Sequence, residues 1–349
     1  MSDLTAPPAS ATPRARLSAL LRTDTCLVTP HEHIGSELIQ HGPADRHVYQ
    51  QSVRELTDRL IALRNRVLGG RGRVAALALP MPYYRYFKPE GTPLDPITVV
   101  RGIRRRNHEV LDACAEHRAA DPAGEAVPLA ALLCDPFRGA ERFAAEYADR
   151  RDEVFALKWH PAAHLRSPEA HVRLGYLDLA AEWDIPVVVH CAPRGRMGDL
   201  ADLRTHVLPR AQAAGVRVCV AHAGYLDPAL PAVLRAPGVF ADLGPWEALR
   251  ERALGGPAPA GATDRHLARL LSASAGRLMF SLDSPWHLEH REGGRVLGAD
   301  AHRSLVHFLA TITELGLSQG ALLHENALAL LFGPDSRPAG PHLAEVPAP

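Results

Sequence analysis

The chain has 349 residues, in which 39 Lys plus Arg are balanced by 39 Asp plus Glu. That length accommodates one large or two small domains with a full core, and the balanced charge excludes a global basic field for nucleic acid and an acidic-tail partner role. No stretch approaches the ~20 apolar residues of a membrane span, and residues 1–14 lack the apolar core of a secretory signal. The expectation is a cytoplasmic protein with a small-molecule substrate and no nucleic-acid or membrane partner, homo-oligomerisation being left open.

Residues 1–14, rich in Ala, Pro, Ser and Thr, read as a disordered tail. A short helix around 15–21 precedes a strand at 25–29 that delivers His31 and His33. Residues 45–68 carry apolar positions at helical spacing (Val53, Leu56, Leu60, Leu63, Val67) and stop at Gly69-Gly70, which predicts a single helix. A second strand spans 73–80, and the loop after it gathers Tyr83, Tyr84, Tyr86 and Phe87 with Arg85 and Lys88, a candidate cover for a substrate. Helix 95–117, strand 127–134, helix 139–149 and strand 154–159 follow. Next come helix 168–183, strand 187–190, helix 200–214, strand 216–222, helix 228–234 and strand 239–243. Helix 264–275, strand 278–283 and helices 301–315 and 318–331 complete the order. Gly255–Ala262 reads as a flexible insertion in the seventh connection, and 334–349 as a Pro-rich disordered tail. Eight strands with intervening helices predict one α/β domain over 15–333, a parallel (β/α)8 TIM barrel rather than an open sheet.

Polar residues end these apolar runs. His31 and His33 are two apart, so an extended backbone aims both imidazoles at one point while Glu32 faces away. Lys158, His190 and His222 stand in succession at intervals of 32 residues, about one strand, loop and helix, and Asp283 ends the eighth run. Residues at the carboxyl ends of parallel barrel strands face one crevice, so this set supplies the imidazole and carboxylate ligands and the base that metal-assisted hydrolysis requires. Cys26, Cys114, Cys134, Cys191 and Cys219 are odd in number and contain no Cys-x-x-Cys, which reads as reduced, buried thiols.

The ordered set resembles the amidohydrolase superfamily of metal-dependent barrel hydrolases, over about Thr23 to Gly333. The resemblance rests on His-x-His after strand one, single His residues after strands five and six, Asp after strand eight, and Glu325-Asn326-Ala327 before the last apolar helix. It implies that His31 and His33 hold a divalent metal, Zn2+ or Mn2+, and that Asp283 binds metal and takes the proton of the attacking water. In single-metal members similar to the dicarboxylate decarboxylases, His190 is the third imidazole ligand and His222 a catalytic residue outside the metal set. In two-metal members similar to the phosphotriesterase and lactonase branch, His190 and His222 hold a second metal and a carboxylated Lys158 bridges both. His31-Glu32-His33-Ile34 resembles the second branch, whereas Lys158-Trp159-His160-Pro161 resembles a Lys-x-His-Pro run of the first. Burial lowers an amine's pKa and favours the neutral form that carboxylation needs, which tips the reading to two metals.

The implied activity is hydrolysis of an amide, lactone or ester bond of a small anionic molecule, with non-oxidative decarboxylation as the alternative. A metal-free scaffold is disfavoured by the cost of burying so many polar groups. Substrate contacts are expected from His160, which shares the face of Lys158, from Arg85, Arg138, Arg194 and Arg196 as holders of an anion, and from Trp246 and Trp286 as an aromatic wall. Trp159 is expected in the core. His41, His47, His164, His287 and His290 are read as ordinary loop residues.

Overall fold

The structure is a computed structural model that describes residues 12–42, 45–82, 95–285, 291–292, 295–296 and 300–336. Its main sheet holds nine strands in the order β2-β1-β3-β4-β5-β6-β7-β8-β9. These are β1 (Thr25–Gly42), β2 (Asp45–Gln51), β3 (Arg73–Pro80), β4 (Ala126–Leu133), β5 (Val154–Trp159), β6 (Val187–Val189), β7 (Val218–Val220), β8 (Val239–Asp242) and β9 (Leu278–Met279). All neighbouring pairs are parallel except β1 with β2. Val28, Leu77, Leu129, Phe155, Val188, Cys219, Phe240 and Met279, one from each of the eight parallel strands, meet in a single buried cluster, so the sheet curls around its own interior. Its two ends approach one another: the Asp283 N–H donates to the His31 carbonyl (3.1 Å), and the His33 N–H donates to the Ser284 carbonyl (2.8 Å).

The opposite faces of the strands bury their apolar residues against helices, chiefly Val53–Val67, Pro96–Ala120, Arg265–Ser274 and Ala301–Glu314. Helix Asn326–Phe332 contributes Leu328, Leu330 and Leu331 to the interior cluster. It is tied to the start of β7 by Arg217, whose guanidinium donates to the Leu330 carbonyl (2.7 Å). Helix Pro13–Thr23, capped by Thr12, adds Leu21 to the same cluster, and its Arg14 donates to the Trp183 carbonyl (2.7 Å). These contacts close the amino-terminal ends of the strands and leave the polar groups at the carboxyl ends. Among the described residues, no helix is long and apolar enough to cross a membrane. All five cysteines are free and buried.

Several expected boundaries are corrected. Residues 45–51 are not the start of a helix: they run antiparallel to the extended end of β1, with Val48 and Gln50 exposed and Tyr49 and Gln51 buried. The helix begins at Val53, where Ser52 and Glu55 satisfy each other's backbone N–H groups in a capping box that the apolar spacing alone does not reveal. The region 168–183 is two helices, Pro168–Arg173 and Tyr176–Glu182, because Gly175 turns the chain at φ 83°. A helix at Trp246–Leu254, absent from the sequence reading, fills the seventh connection. The segment expected to be a flexible insertion is anchored there: the buried Arg250 guanidinium donates to the carbonyls of Ala258 (2.8 Å) and Pro259 (2.7 Å). Strands expected to reach His222 and Asp283 stop at Val220 and Met279, and both residues sit on left-handed backbone instead.

Candidate metal centre

The structure brings His31, His33, Lys158, His190, His222 and Asp283 together at the carboxyl ends of the parallel strands. All are buried except His190, which is half-buried. His31 Nε2 and His33 Nε2 lie 3.5 and 3.4 Å from Asp283 Oδ1. Lys158 Nζ lies 2.9 Å from His31 Nε2, and His190 Nδ1 lies 3.0 Å from His222 Nε2.

Hydrogen bonds at the far side of each ring decide what these imidazoles offer. Burial lowers the pKa of His31 and His33 and brings that of His222 down to about 4, so each ring is neutral and carries one proton. His33 Nδ1–H donates to the Pro80 carbonyl (3.2 Å), and His222 Nδ1–H to the Gly244 carbonyl (2.7 Å). His31 Nδ1–H donates to Asp242 Oδ2 (3.1 Å). With the proton held on Nδ1 in all three, every Nε2 lone pair is left facing inward, the state in which imidazole binds a cation. His31, His33 and Asp283 together form a group with ligand atoms mutually within 4.8 Å. Imidazole and carboxylate donors of this kind suit zinc or manganese, so the residues present fit a divalent ion.

Asp242 also falls in a compact group with His31 and His222. Its oxygens, however, already accept from four donors: His31 Nδ1–H, the N–H groups of His222 (3.3 Å) and Gly244 (3.1 Å), and the Cys219 thiol (3.4 Å). Burial works to raise its pKa, but the His31 ring, donating a hydrogen bond to it, holds it below the usual range. Asp242 is therefore an anion that orients His31. Sequence reasoning missed it, although Val239-Phe240-Ala241-Asp242 ends an apolar run like the others.

Lys158 is fully buried, and burial pulls its amine down to about 8 against the opposing pull of Asp242 and Asp283. A neutral fraction is thus available near neutral pH. His222 opens a left-handed turn, with residues 222–226 at φ between 44° and 61°. Backbone in this region costs energy for any L side chain. It is stabilised here by Asp242 accepting the His222 N–H and Gly244 accepting the ring proton. A side chain at Gly244 would crowd the turn: a Cβ there would stand 3.0 Å from that of Ser281 and 3.2 Å from the Asp283 N, so these neighbours would have to give way. The turn also brings in Tyr225, a residue that sequence reasoning did not single out, with its ring 5.5 Å from His222.

The expected substrate contacts divide. His160 is buried and stacked on His190 (3.9 Å, 14° between planes), and its Nδ1 accepts the Ala163 N–H (3.1 Å). Arg194 is exposed beside Asp199 and Arg196 is also exposed, whereas Arg138 is held by Asp135 (2.5 Å) and Glu146 (3.2 Å) and is not a free anion holder. Trp246 is not part of a wall over the site. It is buried edge-on against Phe308 (5.2 Å), because it opens the helix that packs on Ala301–Glu314. Trp159 is core, stacked on His171. Arg85, Trp286, His287 and His290 lie outside the described residues, as do the side chains of His41 and His47. His164 is fully buried rather than an ordinary loop residue.

No protein-family model and no curated protein matches the chain. Solved structures do. Dihydroorotase from Campylobacter jejuni matches at 15% identity, covering 86% of this chain and 81% of its own, with a TM-score of 0.51. A protein assigned as 2-pyrone-4,6-dicarboxylic acid hydrolase from Pseudomonas putida matches at 16% identity, 88% and 97% coverage and a TM-score of 0.53. A 5-carboxyvanillate decarboxylase from Novosphingobium aromaticivorans with bound manganese matches at 11% identity, 88% and 97% coverage and a TM-score of 0.50. These neighbours include both hydrolases and decarboxylases, and at such identities the likeness is one of fold. The chain therefore shares its fold with a dihydroorotase, a protein assigned as a pyrone dicarboxylate hydrolase and a carboxyvanillate decarboxylase.

Proposed function

We propose that the chain is a metal-dependent hydrolase of the amidohydrolase superfamily, a (β/α)8 barrel that cleaves an amide, lactone or ester bond of a small anionic molecule. The observation that carries this reading is the hydrogen-bond pattern: three buried imidazoles each set Nδ1 against an oxygen acceptor, which places the proton there and leaves Nε2 facing Asp283, Lys158 and His190. His31, His33 and Asp283 would hold one divalent ion. His190 and His222 would hold a second, with a carboxylated Lys158 between them. Such ions supply Lewis acidity to water and to the substrate carbonyl. Asp283 accepts the proton of the attacking water at a carboxylate oxygen and returns it to the leaving group. His160 and Arg194 are the described candidates for contact with substrate. A cytoplasmic location belongs to the same proposal and accords with the five free cysteines.

A second reading, non-oxidative decarboxylation with one ion, is favoured by the fact that His31, His33 and Asp283 form a three-ligand group by themselves. His222 is then left to act on the substrate.

The test is elemental analysis of the purified chain, prepared without added metal and with zinc or manganese. Near two ions per chain supports the two-metal hydrolase, near one the decarboxylase-like site, and none under any condition defeats both. Release of carbon dioxide without consumption of water separates the chemistries. Asp283→Asn is expected to remove turnover far more than it lowers metal content; near-native turnover would exclude its role as base.

A further inference from the structure

Glu32 stands between the two metal-facing histidines yet points away from them into the sheet. It is fully buried and accepts four hydrogen bonds, all from one stretch of chain. Oε1 accepts from the Ser281 hydroxyl (3.1 Å) and the Leu282 N–H (2.9 Å), and Oε2 from the Ser284 N–H (3.0 Å) and the Ser284 hydroxyl (2.6 Å). These donors flank Asp283 on both sides. Asp283 itself has φ 53°, in the left-handed region that few non-glycine residues occupy, so its side chain leaves the line of the strand. The chain beyond β9 meets β1 through two backbone hydrogen bonds, Asp283 N–H to the His31 carbonyl and His33 N–H to the Ser284 carbonyl, and Glu32 adds its four to the same contact. The clamp extends to β2, where the Gln51 amide donates to the Ser284 hydroxyl (2.9 Å) and to the His33 carbonyl (2.8 Å). One network therefore joins the backbone of a candidate imidazole ligand to the turn that carries the candidate carboxylate ligand.

We infer that Glu32 is a positioning residue for the metal centre: through Ser284 and Gln51 it sets the distance between the Asp283 carboxylate and the His31–His33 pair. The inference rests on the proposed role of His31, His33 and Asp283 as a metal cradle. A simple packing role would lower stability wherever Glu32 is replaced. A positioning role also changes the affinity and geometry of the bound ion, as loss of groups that orient ligands typically costs 10–100-fold in metal affinity.

The experiment uses Co2+ as the probe, measuring its affinity against a competing chelator and its visible absorption bands in the full-length chain. Wild type, Glu32→Gln and Ser284→Ala are compared with Asn107→Ala, a control in which the buried hydrogen bonds to Leu133 of β4 are lost. Glu32→Gln is expected to weaken Co2+ binding at least 10-fold and to alter the bands. Ser284→Ala is expected to weaken it more than 3-fold, while Asn107→Ala lowers the melting temperature with affinity unchanged. If Glu32→Gln does not fold, Ser284→Ala decides alone. Affinity and bands like wild type in the variants that fold overturn the inference and leave the metal cradle standing. Failure of the wild-type chain to bind Co2+ overturns the cradle itself.

Discussion

Asp242→Asn tests the link between a hydrogen bond and metal binding most directly. The replacement keeps the shape of the side chain but exchanges an acceptor for a donor. Two backbone N–H groups, of His222 and Gly244, converge on Asp242 Oδ1, so the asparagine oxygen takes that position and its amide N–H2 turns to His31 and Cys219. Facing a donor, His31 Nδ1 must become the acceptor and the ring proton moves to Nε2, which then points a hydrogen rather than a lone pair at Asp283 and Lys158. Exchanging a hydrogen bond to a charged group, about 1.5–3 kcal/mol, for a neutral one, about 0.5–1.5 kcal/mol, lowers stability by about 1–1.5 kcal/mol. The misplaced tautomer should weaken zinc or manganese binding by 10–100-fold, or about 1.4–2.8 kcal/mol. Competition against a graded set of chelators reads the affinity, and thermal melting of the metal-free protein reads the stability. An affinity within 3-fold of wild type would refute the argument that Asp242 fixes the His31 tautomer, whatever happens to the melting temperature.

Lys158→Ala should reduce metal from near two to near one per chain, with partial recovery in acetate or propionate, since a free carboxylate can occupy the vacated space; unchanged metal content retires the bridge. Because burial lowers this amine from 10.5 to about 8, carbon dioxide uptake by the metal-free chain should rise as pH approaches 8, well below the range of a free lysine. His164 and His171 lie apart from the candidate ligands, and burial lowers their pKa values to about 3 and about 4. A folded pKa below the unfolded one means that their stabilising contribution is complete above about 6.5 and is lost as pH falls toward those values. For chelator-treated protein, the fall in unfolding free energy between pH 6 and 4.5 should be less steep in His164→Leu than in wild type, by up to ~1.4 kcal/mol per pH unit; identical slopes would exclude a buried neutral His164. Phe308→Ala removes a fully buried ring that supports Trp246 (5.2 Å) and Phe280 (4.9 Å) and should cost about 3–5 kcal/mol in denaturant unfolding. A loss below 1 kcal/mol would place that ring outside the core.

Much of the architecture is legible in one dimension because burial in a parallel sheet has a simple signature. Runs such as Val187-Val188-Val189 and Val154-Phe155-Ala156-Leu157, buried on both faces, are apolar throughout, and the polar residue that follows each run marks the open end of the sheet. That pattern by itself determined the order of the eight parallel strands and selected His31, His33, Lys158, His190, His222 and Asp283. Tertiary structure decided what no spacing encodes. The antiparallel arm of β2 depends on β1 running past Gly35, a pairing between segments with no periodic signal. The burial of Trp246 depends on Phe308, distant in the chain. The protonation of the three imidazoles is set by acceptors on or just beyond other strands, Asp242, the Pro80 carbonyl and the Gly244 carbonyl, and the turn carrying Asp283 is held by Glu32 from about 250 positions earlier. Strand order is local and repeated, so it can be read along the chain, whereas the direction of a lone pair depends on a hydrogen bond across the fold.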